Sequence, residues 1–451
     1  MPTPSGPAQP GPAPACPSGP GLDGRDASDA PDGRDNAAGP SGAGYRAVFA
    51  VPEFRFVFAA HLLSSLGVVV CELALSVLVY RLTDSPLLSA LTFALGLLPY
   101  VIGGTLLSAV ADRYPARRVL VLCDAVCAAA AAAMVLPGTP VAVLLGLRCL
   151  IAAVAPVFAG TRAGTLGEIL GEGELFVLGR SLVRIVNQGA QLAGFAAGGL
   201  LLAAVPPGAV LGITAGTFLA SALLLRLGTV ARPARRRAAG ALLGASLAGT
   251  RRLLADRRIR ALLLLSWVPP AVVVVPEALL VPYGGLLGVG PVGQGLLMCG
   301  MPVGAVVTET LVGTFLGARV RTRLTFPLGV FAVLPSLGFA ARPSWGWALV
   351  LLVLTGTGIA YNFGVDRWFV AAVPEELLGQ AMTVMQAGRM TIMGLAMGLA
   401  GVAAEYAPLP VVMPAAGVVG AVVVLVVIAE VRRSGARGAD GGRGPLHETE
   451  S

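Results

Sequence analysis

Hydrophobic residues form long, nearly uninterrupted blocks along residues 45–431, and short polar segments rich in arginine, glycine and proline separate these blocks. An α-helix needs about 20 apolar residues to cross the hydrocarbon core of a bilayer. Divided at that length, the blocks predict an all-α integral membrane protein with twelve transmembrane helices. The predicted spans are residues 54–80, 86–110, 117–136, 139–161, 176–203, 207–228, 259–283, 291–316, 322–341, 345–370, 378–402 and 408–430.

The composition excludes a soluble fold. Of the 451 residues, 56% are hydrophobic and only 12% are charged, against roughly 25% charged residues in an average soluble domain. Such a chain has too few polar side chains to cover a water-exposed surface. All 32 basic residues are arginine, and the net charge is +8.

The arginines are concentrated in every second link between the predicted spans. These links and the end of the chain carry Arg113, Arg117 and Arg118; Arg162 and Arg180; eight arginines from Arg232 to Arg258; Arg319 and Arg321; and Arg432, Arg433 and Arg437. The alternate links contain only Arg81 and Arg342. By the positive-inside rule, the even-numbered links and both termini are predicted to be cytoplasmic, in a multi-pass protein of the cell membrane. The positive charge therefore indicates membrane orientation and no nucleic-acid partner.

The chain divides into five predicted segments, of which two are related helical bundles. Arg55 precedes Glu72 by 17 residues, and Arg260 precedes Glu277 by the same spacing. This repeat predicts two pseudo-symmetric six-helix bundles, since parallel six-span repeats are one known plan of membrane proteins. The segments are a disordered N-terminal tail (1–44), a first bundle (45–228), a cytoplasmic arginine-rich linker (229–258), a second bundle (259–431) and a disordered C-terminal tail (432–451).

Glu72 and Arg148 are the predicted proton-coupling pair. Charged side chains at the centre of a membrane helix cost roughly 2.5–3.5 kcal/mol each, so each needs a partner or a function. Counted from the outer ends of spans 1 and 4, both residues lie about 12–14 Å deep, which allows them to meet. The carboxylate binds a proton or a cation under the influence of the arginine, or the pair statically joins two helices.

Two further titratable residues lie within predicted spans. Glu277 occupies the equivalent depth in the second half and follows Pro276, which loosens the helix. It faces the substrate or a proton, or it is a buried structural residue. His61 is a candidate proton relay, and a neutral hydrogen-bonded histidine at a helix contact is the alternative. Glu309 and Arg389 offer a possible pair between the halves.

Polar side chains at other depths provide candidate substrate contacts. Amide and phenol groups in membrane helices line a cavity or hold helices together by hydrogen bonds. The predicted substrate-binding residues are Glu72, Glu277, Asn187, Gln191, Tyr361 and Asn362.

The link between spans 2 and 3 resembles a signature of the major facilitator superfamily. The family pattern is G-x-L-A-D-R-x-G-R-R/K, and residues 108–118 read Ser-Ala-Val-Ala-Asp-Arg-Tyr-Pro-Ala-Arg-Arg. Ala111, Asp112, Arg113 and Arg117 match. The resemblance implies that Asp112, Arg113 and Arg117 gate the cytoplasmic side.

Two other family signatures are present in altered form. Arg148 with Ala152 resembles the span 4 pattern R-x-x-x-G, which the family links to proton transfer. Residues 194–199 resemble the antiporter pattern G-P-x-x-G-G, with Phe195 in place of proline. This implies gating roles for Gly194, Gly198 and Gly199. The run 78–86 resembles the actinobacterial-type efflux branch.

The resemblance implies a transporter in which two bundles rock around a central site and protonation of Glu72 biases which side is open. The leading hypothesis is proton-coupled efflux, by antiport, of a small lipophilic or cationic molecule such as a drug or natural product. The alternatives are a proton symporter or uniporter for nutrient uptake, and a transport-inactive homologue acting as a receptor or assembly factor. The expected partners are the substrate, protons and the bilayer, and a monomer is expected. The sequence predicts no cofactor, no metal and no enzymatic activity, because it contains no P-loop motif and its only histidines are His61 and His447.

Overall fold

The computed structural model describes residues 43–100, 114–171, 174–230, 232 and 250–435. Every regular element in these ranges is helical. The α-helices are α1 (Ala43–Ala50), α2 (Pro52–Thr83), α3 (Pro86–Leu97), α4 (Ala116–Ala133), α5 (Val141–Leu170), α6 (Glu174–Ala204), α7 (Pro207–Gly228), α8 (Arg257–Leu286), α9 (Pro291–Phe315), α10 (Ala318–Phe331), α11 (Trp345–Thr357), α12 (Asn362–Ala372), α13 (Leu378–Tyr406) and α14 (Leu409–Arg433). Short 3₁₀ segments cover Leu334–Ala341, Gly358–Tyr361 and Glu375–Leu377.

The all-α membrane fold is confirmed. In the described ranges, ten helical segments are long and apolar enough to cross a membrane. Two more segments belong to the second and third predicted spans. The helix α3 has 12 residues before the chain enters residues 101–113, outside the described part. The 18-residue α4 carries Arg117, Arg118 and Asp124, which lower its apolar character. These twelve segments correspond one for one with the twelve predicted spans.

Proline and short polar side chains fix many helix ends. Proline occupies the first turn of α2, α3, α7, α9 and α14, where its missing N–H leaves no bond unmade. The Ser85 side chain accepts a hydrogen bond from the Leu88 N–H at the start of α3. Asp256 caps α8 in the same way, by accepting from the N–H groups of Arg258 and Ile259. Residues 250–255 of the predicted linker are helical before this cap. Residues 229, 230 and 232 are also described, whereas residues 231 and 233–249 lie outside the described ranges.

Two predicted spans are less regular than the sequence suggests. The ninth consists of α10 followed by a 3₁₀ segment, and the tenth is interrupted by the 3₁₀ turn Gly358–Tyr361 between α11 and α12. At this turn the backbone of Gly358 lies against Ala332, and a β-carbon on Gly358 would lie 2.3 Å from the Ala332 Cα. The break therefore allows two helices to approach at backbone distance.

The helices run alternately between two faces of the protein. We call the face at which α2 begins the N face and the face at which it ends the C face. The helices α2 and α6 are parallel, because Gly194 packs on Val69 and Gly198 packs one turn later on Leu73. The predicted tail 1–44 lies outside the described ranges except for its last two residues.

At the C face, α6 and α9 approach without intervening side chains. A β-carbon on Gly199 would lie 2.9 Å from both the Gly295 Cα and the Pro291 carbonyl oxygen. A second close contact joins α3 to α13, where Gly401 packs on the Leu87 backbone. The Glu405 carboxylate of α13 also accepts hydrogen bonds from the Ser85 hydroxyl and the Leu87 N–H. Helices of the predicted first bundle (α3 and α6) thus pack closely against helices of the predicted second bundle (α9 and α13) at this face.

Candidate functional site

Glu72 and Arg148 form an ion pair between α2 and α5. Arg148 Nη2 donates to Glu72 Oε1 at 2.8 Å, and the two side chains are 5% and 19% exposed for Arg148 and Glu72. The pairing expected from helix depth is therefore present. The Glu72 side chain is therefore less completely buried than that of its partner Arg148.

A glycine in the neighbouring helix provides space for this pair. Gly96 of α3 faces it so closely that a β-carbon there would lie 2.2 Å from Arg148 Nη2 and 3.0 Å from Glu72 Oε1. A distance of 2.2 Å is far below van der Waals contact, so any side chain at position 96 requires the guanidinium to move. This role cannot be predicted from the sequence, because it arises only where α2, α3 and α5 meet.

We expect Gly96→Ala to separate Arg148 from Glu72. Loss of a charge-assisted hydrogen bond costs about 1.5–3 kcal/mol, so the thermal unfolding midpoint should fall and the pH dependence of transport should change. Gly146→Ala in α5 is the matched control, because a β-carbon there has open space around it. An unchanged midpoint and pH profile in both variants would show that the ion pair does not depend on this glycine.

A cavity of about 240 Å³ lies among α6, α8, α9, α13 and the broken tenth span. Its wall is mainly apolar and includes Met301, Met390 and Met393. The polar lining residues are Gln191, Glu277, Tyr361, Asn362 and Arg389. The structure therefore brings four of the six predicted substrate-binding residues to one cavity.

The two remaining predicted substrate-binding residues lie outside this lining. Glu72 pairs with Arg148, but its charge is close enough to interact electrostatically with Glu277. Asn187 lies on α6, one turn from Gln191 toward the N face, and is exposed. The two glutamates of the sequence repeat, one in each predicted bundle, are therefore within electrostatic range of each other.

The possible pair between Glu309 and Arg389 is not formed. Glu309 Oε2 accepts a hydrogen bond from Gln188 Nε2 at 2.9 Å, and Arg389 donates to Gln386 Oε1 within α13. Arg389 instead supplies a guanidinium to the cavity wall. The sequence shows only that a charged residue lies in the middle of span 11. Its position on the cavity wall depends on how α13 packs in the fold.

A larger cavity of about 840 Å³ lies between α5 and α6. Arg162, Arg180, Arg184 and Asn187 line it. Arg180, Arg184 and Asn187 are exposed, in contrast to the close helix contacts at the C face. The α6 surface that leads from Gln191 toward the N face is therefore open.

Arg162 corrects the sequence interpretation. The sequence predicts that Arg162 lies in the polar link after span 4, but α5 continues to Leu170 and Arg162 is only 9% exposed. Its guanidinium donates to His61 Nδ1 and lies 5.5 Å from the centre of the Phe158 ring. His61 itself is 3% exposed and also bonds the Ser65 hydroxyl at 3.1 Å. Because Nδ1 accepts from Arg162, His61 is neutral in this arrangement.

The predicted gating residues fall into three groups. Asp112 and Arg113 lie outside the described ranges. The Arg117 guanidinium donates to the Arg226 carbonyl oxygen and so joins the start of α4 to the end of α7. The glycines Gly194, Gly198 and Gly199 all lie at close helix contacts of α6, the first two against α2 and the third against α9.

Beyond the end of α7, Arg232 forms a bidentate ion pair with Glu53 at the start of α2. Both nitrogen–oxygen distances are 2.7 Å, and Glu168 of α5 lies 3.8 Å from Arg232 Nε. The hydrogen bonds to Glu53 raise the pKa of the Arg232 guanidinium. This contact fixes the first residues after α7 against the N face.

The chain matches the family model described as Major Facilitator Superfamily over residues 57–365. Among solved structures, it is similar to the nucleoside transporter NupG, with 16% identity and a TM-score of 0.63 over 83% of this chain and 98% of that chain. It is also similar to the peptide transporter POT in complex with sulfate, with 14% identity and a TM-score of 0.63 over 87% of this chain and 98% of that chain. At these identities the two structures share the fold. No curated protein matches the sequence.

Proposed function

The chain belongs to the Major Facilitator Superfamily, and we propose that it exports a small lipophilic or cationic molecule in exchange for protons. Membership of this family makes it a multi-pass membrane transporter of small molecules and not an enzyme. The observation that carries this proposal is the position of Glu277 in a mainly apolar cavity, within electrostatic range of the Glu72 carboxylate that pairs with Arg148. Cavity, carboxylate and ion pair supply a substrate site and a proton site within electrostatic reach of each other.

The cavity chemistry supports a lipophilic substrate with a basic group. Methionine side chains adapt to varied apolar shapes, which suits a site for lipophilic molecules. Within the described part of the chain, Glu277 accepts no hydrogen bond, so its carboxylate is available to a cationic ligand group. Among the described residues, no ion pair within 4.0 Å joins Arg389 to Glu277, and the Arg389 guanidinium donates to Gln386.

The charges at the site also support exchange rather than co-transport. Two neighbouring carboxylates disfavour each other's ionised form. A cation bound at Glu277 reduces this repulsion and so favours release of a proton from Glu72. By linkage, a proton on Glu72 reciprocally weakens the electrostatic advantage of a cation at Glu277. Substrate and proton therefore oppose each other, as antiport requires.

The arrangement of the two faces supports alternating access. Within the described residues, helix contacts close the C face, whereas α6 side chains toward the N face are exposed. The arginine distribution supports a cytoplasmic N face. The proposal includes a location in the cell membrane and a monomeric protein. An exporter would load its substrate from the cytoplasm in this state. Gating by Asp112, Arg113, Arg117 and the three α6 glycines belongs to the same proposal.

The test is uptake into inverted membrane vesicles with an acidic interior. We expect lipophilic cations to accumulate, and Glu277→Gln to raise their KM at least about 10-fold, equivalent to about 1.4 kcal/mol. A neutral analogue of matching shape should show no such change. Glu430→Gln, which removes a carboxylate that pairs with Arg257 outside the cavity, is the matched control.

Other outcomes of the same assay would overturn the proposal. Substrate leaving the acidic vesicles together with protons would indicate an uptake symporter. Substrate transport whose rate and direction do not depend on the proton gradient would indicate a uniporter. An absence of transport and of substrate-dependent proton flux across a broad panel of molecules would favour the transport-inactive receptor.

A further inference from the structure

A second buried carboxylate lies far from the cavity that contains Glu277. It lies in the part of α2, α4 and α7 that is nearest the N face. Asp124 of α4 is 1% exposed and contacts α2 and α7. Its α2 partner, Ser64, precedes Glu72 by eight residues, or about 12 Å along the helix. Asp124 is therefore separate from the Glu72–Arg148 ion pair, and the proposed exchange mechanism does not use it.

The hydrogen bonds around Asp124 contain one hydroxyl with two acceptors. Ser64 Oγ donates to Asp124 Oδ1 at 3.0 Å. Ser221 Oγ lies within hydrogen-bond distance of both Asp124 Oδ2 and, at 2.9 Å, the Ala60 carbonyl oxygen. A serine hydroxyl has a single proton and can donate only one hydrogen bond along its O–H direction. With an ionised Asp124, one of these two short contacts would join acceptor to acceptor.

A proton on Asp124 Oδ2 resolves this conflict. Asp124 then donates to Ser221 Oγ, Ser221 donates to the Ala60 carbonyl oxygen, and Ser64 still donates to Oδ1. Every short oxygen–oxygen contact then has one donor and one acceptor, as buried polar groups require.

We propose that Asp124 is a second proton-binding site, occupied by a proton in this structure. The proton completes a chain of hydrogen bonds from α4 through α7 to the backbone of α2. When the proton leaves, the Ser221 hydroxyl can donate to the carboxylate or to the Ala60 carbonyl oxygen, so one of the hydrogen bonds that join α7 to α4 and α2 is lost. Proton binding and helix packing near the N face are thereby coupled.

Other charged and titratable groups near Asp124 come from three helices. From α5, Arg162 is close enough to interact electrostatically with Asp124. These two described side chains form no ion pair within 4.0 Å, and the guanidinium donates to His61 of α2 instead. From α4 itself, the thiols of Cys123 and Cys127 are close enough to interact electrostatically with the carboxylate. The contact from α7 is Ser221, which does not titrate. A negative Asp124 would attract Arg162, which lines the cavity between α5 and α6, so the charge of Asp124 also affects that cavity.

Infrared spectroscopy of the purified protein at neutral pH tests the proposal directly and needs no transport substrate. We expect the carbonyl-stretch region of protonated carboxyl groups to contain a band that Asp124→Asn removes. The asparagine retains the arrangement of the protonated acid, because its amide donates to Ser221 and its carbonyl accepts from Ser64. Asp84→Asn, which replaces an exposed aspartate at the C face, is the matched control and should remove no such band.

Ser221→Ala provides a second measurement if Asp124→Asn does not fold. Removal of the acceptor for the Asp124 proton should shift the band to higher frequency. Identical carbonyl-stretch spectra for the wild type and Asp124→Asn would overturn the proposal, as would an Asp124 band that Ser221→Ala leaves at its original frequency. Because no result depends on substrate movement, the proposed antiport could fail while this site stands, and the reverse.

Discussion

Glu72→Gln is expected to reduce proton-driven transport to background while the protein remains folded. The glutamine carbonyl still accepts a hydrogen bond from Arg148 Nη2, which lies 2.8 Å from Glu72 Oε1 in the wild type. The amide cannot bind or release the proton, so the exchange cycle stops at one charge state. The measurement is proton flux and substrate uptake in proteoliposomes with an imposed pH gradient, together with the thermal unfolding midpoint.

Two comparisons make this result specific. Glu430→Gln removes a carboxylate that pairs with Arg257 at the N face, outside the cavity, and should leave coupled transport intact. In Glu72→Gln, substrate binding and exchange without net proton movement should persist, since Glu277 remains. If Glu72→Gln instead retains pH-driven accumulation, the ion pair only joins α2 to α5 and the coupling proton binds elsewhere.

A leucine at Gly199 is expected to shift the protein toward the state that is open at the C face. There is no space for a side chain between α6 and α9 at this point, because the nearest atoms belong to the backbone of Gly295 and Pro291. Overpacking of a close contact costs typically 1–3 kcal/mol. If that cost falls only on the C-face-closed state, the ratio of the two states changes roughly 5–150-fold.

The shift is measurable by labelling a cysteine placed at Asn187, which is exposed on the open α6 surface. A membrane-impermeant maleimide should label N187C more slowly when Gly199→Leu is present. Gly189→Leu on the same helix is the matched control, because a β-carbon there meets no atom within 4 Å. Equal labelling rates in the two double variants would mean that the C-face contact does not control which side is open.

The sequence predicts most strongly where an effect depends on depth alone. The Glu72–Arg148 ion pair could be anticipated, because α2 and α5 are helical throughout the stretches that place these residues, and the rise per residue converts sequence position into depth. The neighbouring positions of Glu72 and Glu277 likewise reflect the repeat in the two leading helices.

The sequence predicts less well where several helices meet. The role of Gly96 depends on three helices, and the position of Arg389 depends on the rotation of α13 about its axis. The sequence predicts a link position for Arg162, because the loss of apolar character there indicates the end of a span. The helix instead continues through this polar residue and buries it against His61 and Phe158.

The break in the tenth span could not be anticipated from composition either. The sequence there is as apolar as a regular helix, and the 3₁₀ turn lies where Gly358 contacts the Ala332 backbone. Hydrophobicity determines that a segment crosses the membrane, whereas close packing against a neighbour determines whether it does so as one helix.

The contact of Gly199 with Gly295 has a further consequence for repeated cycling. Neither residue has a side chain, so closing the C face at this point restricts no rotamers and loses no side-chain entropy. Opening it requires no side chain to reorient before the helices separate. The two helices can therefore part and rejoin in the same register many times, and the speed of switching is left to the polar and charged contacts elsewhere in the protein.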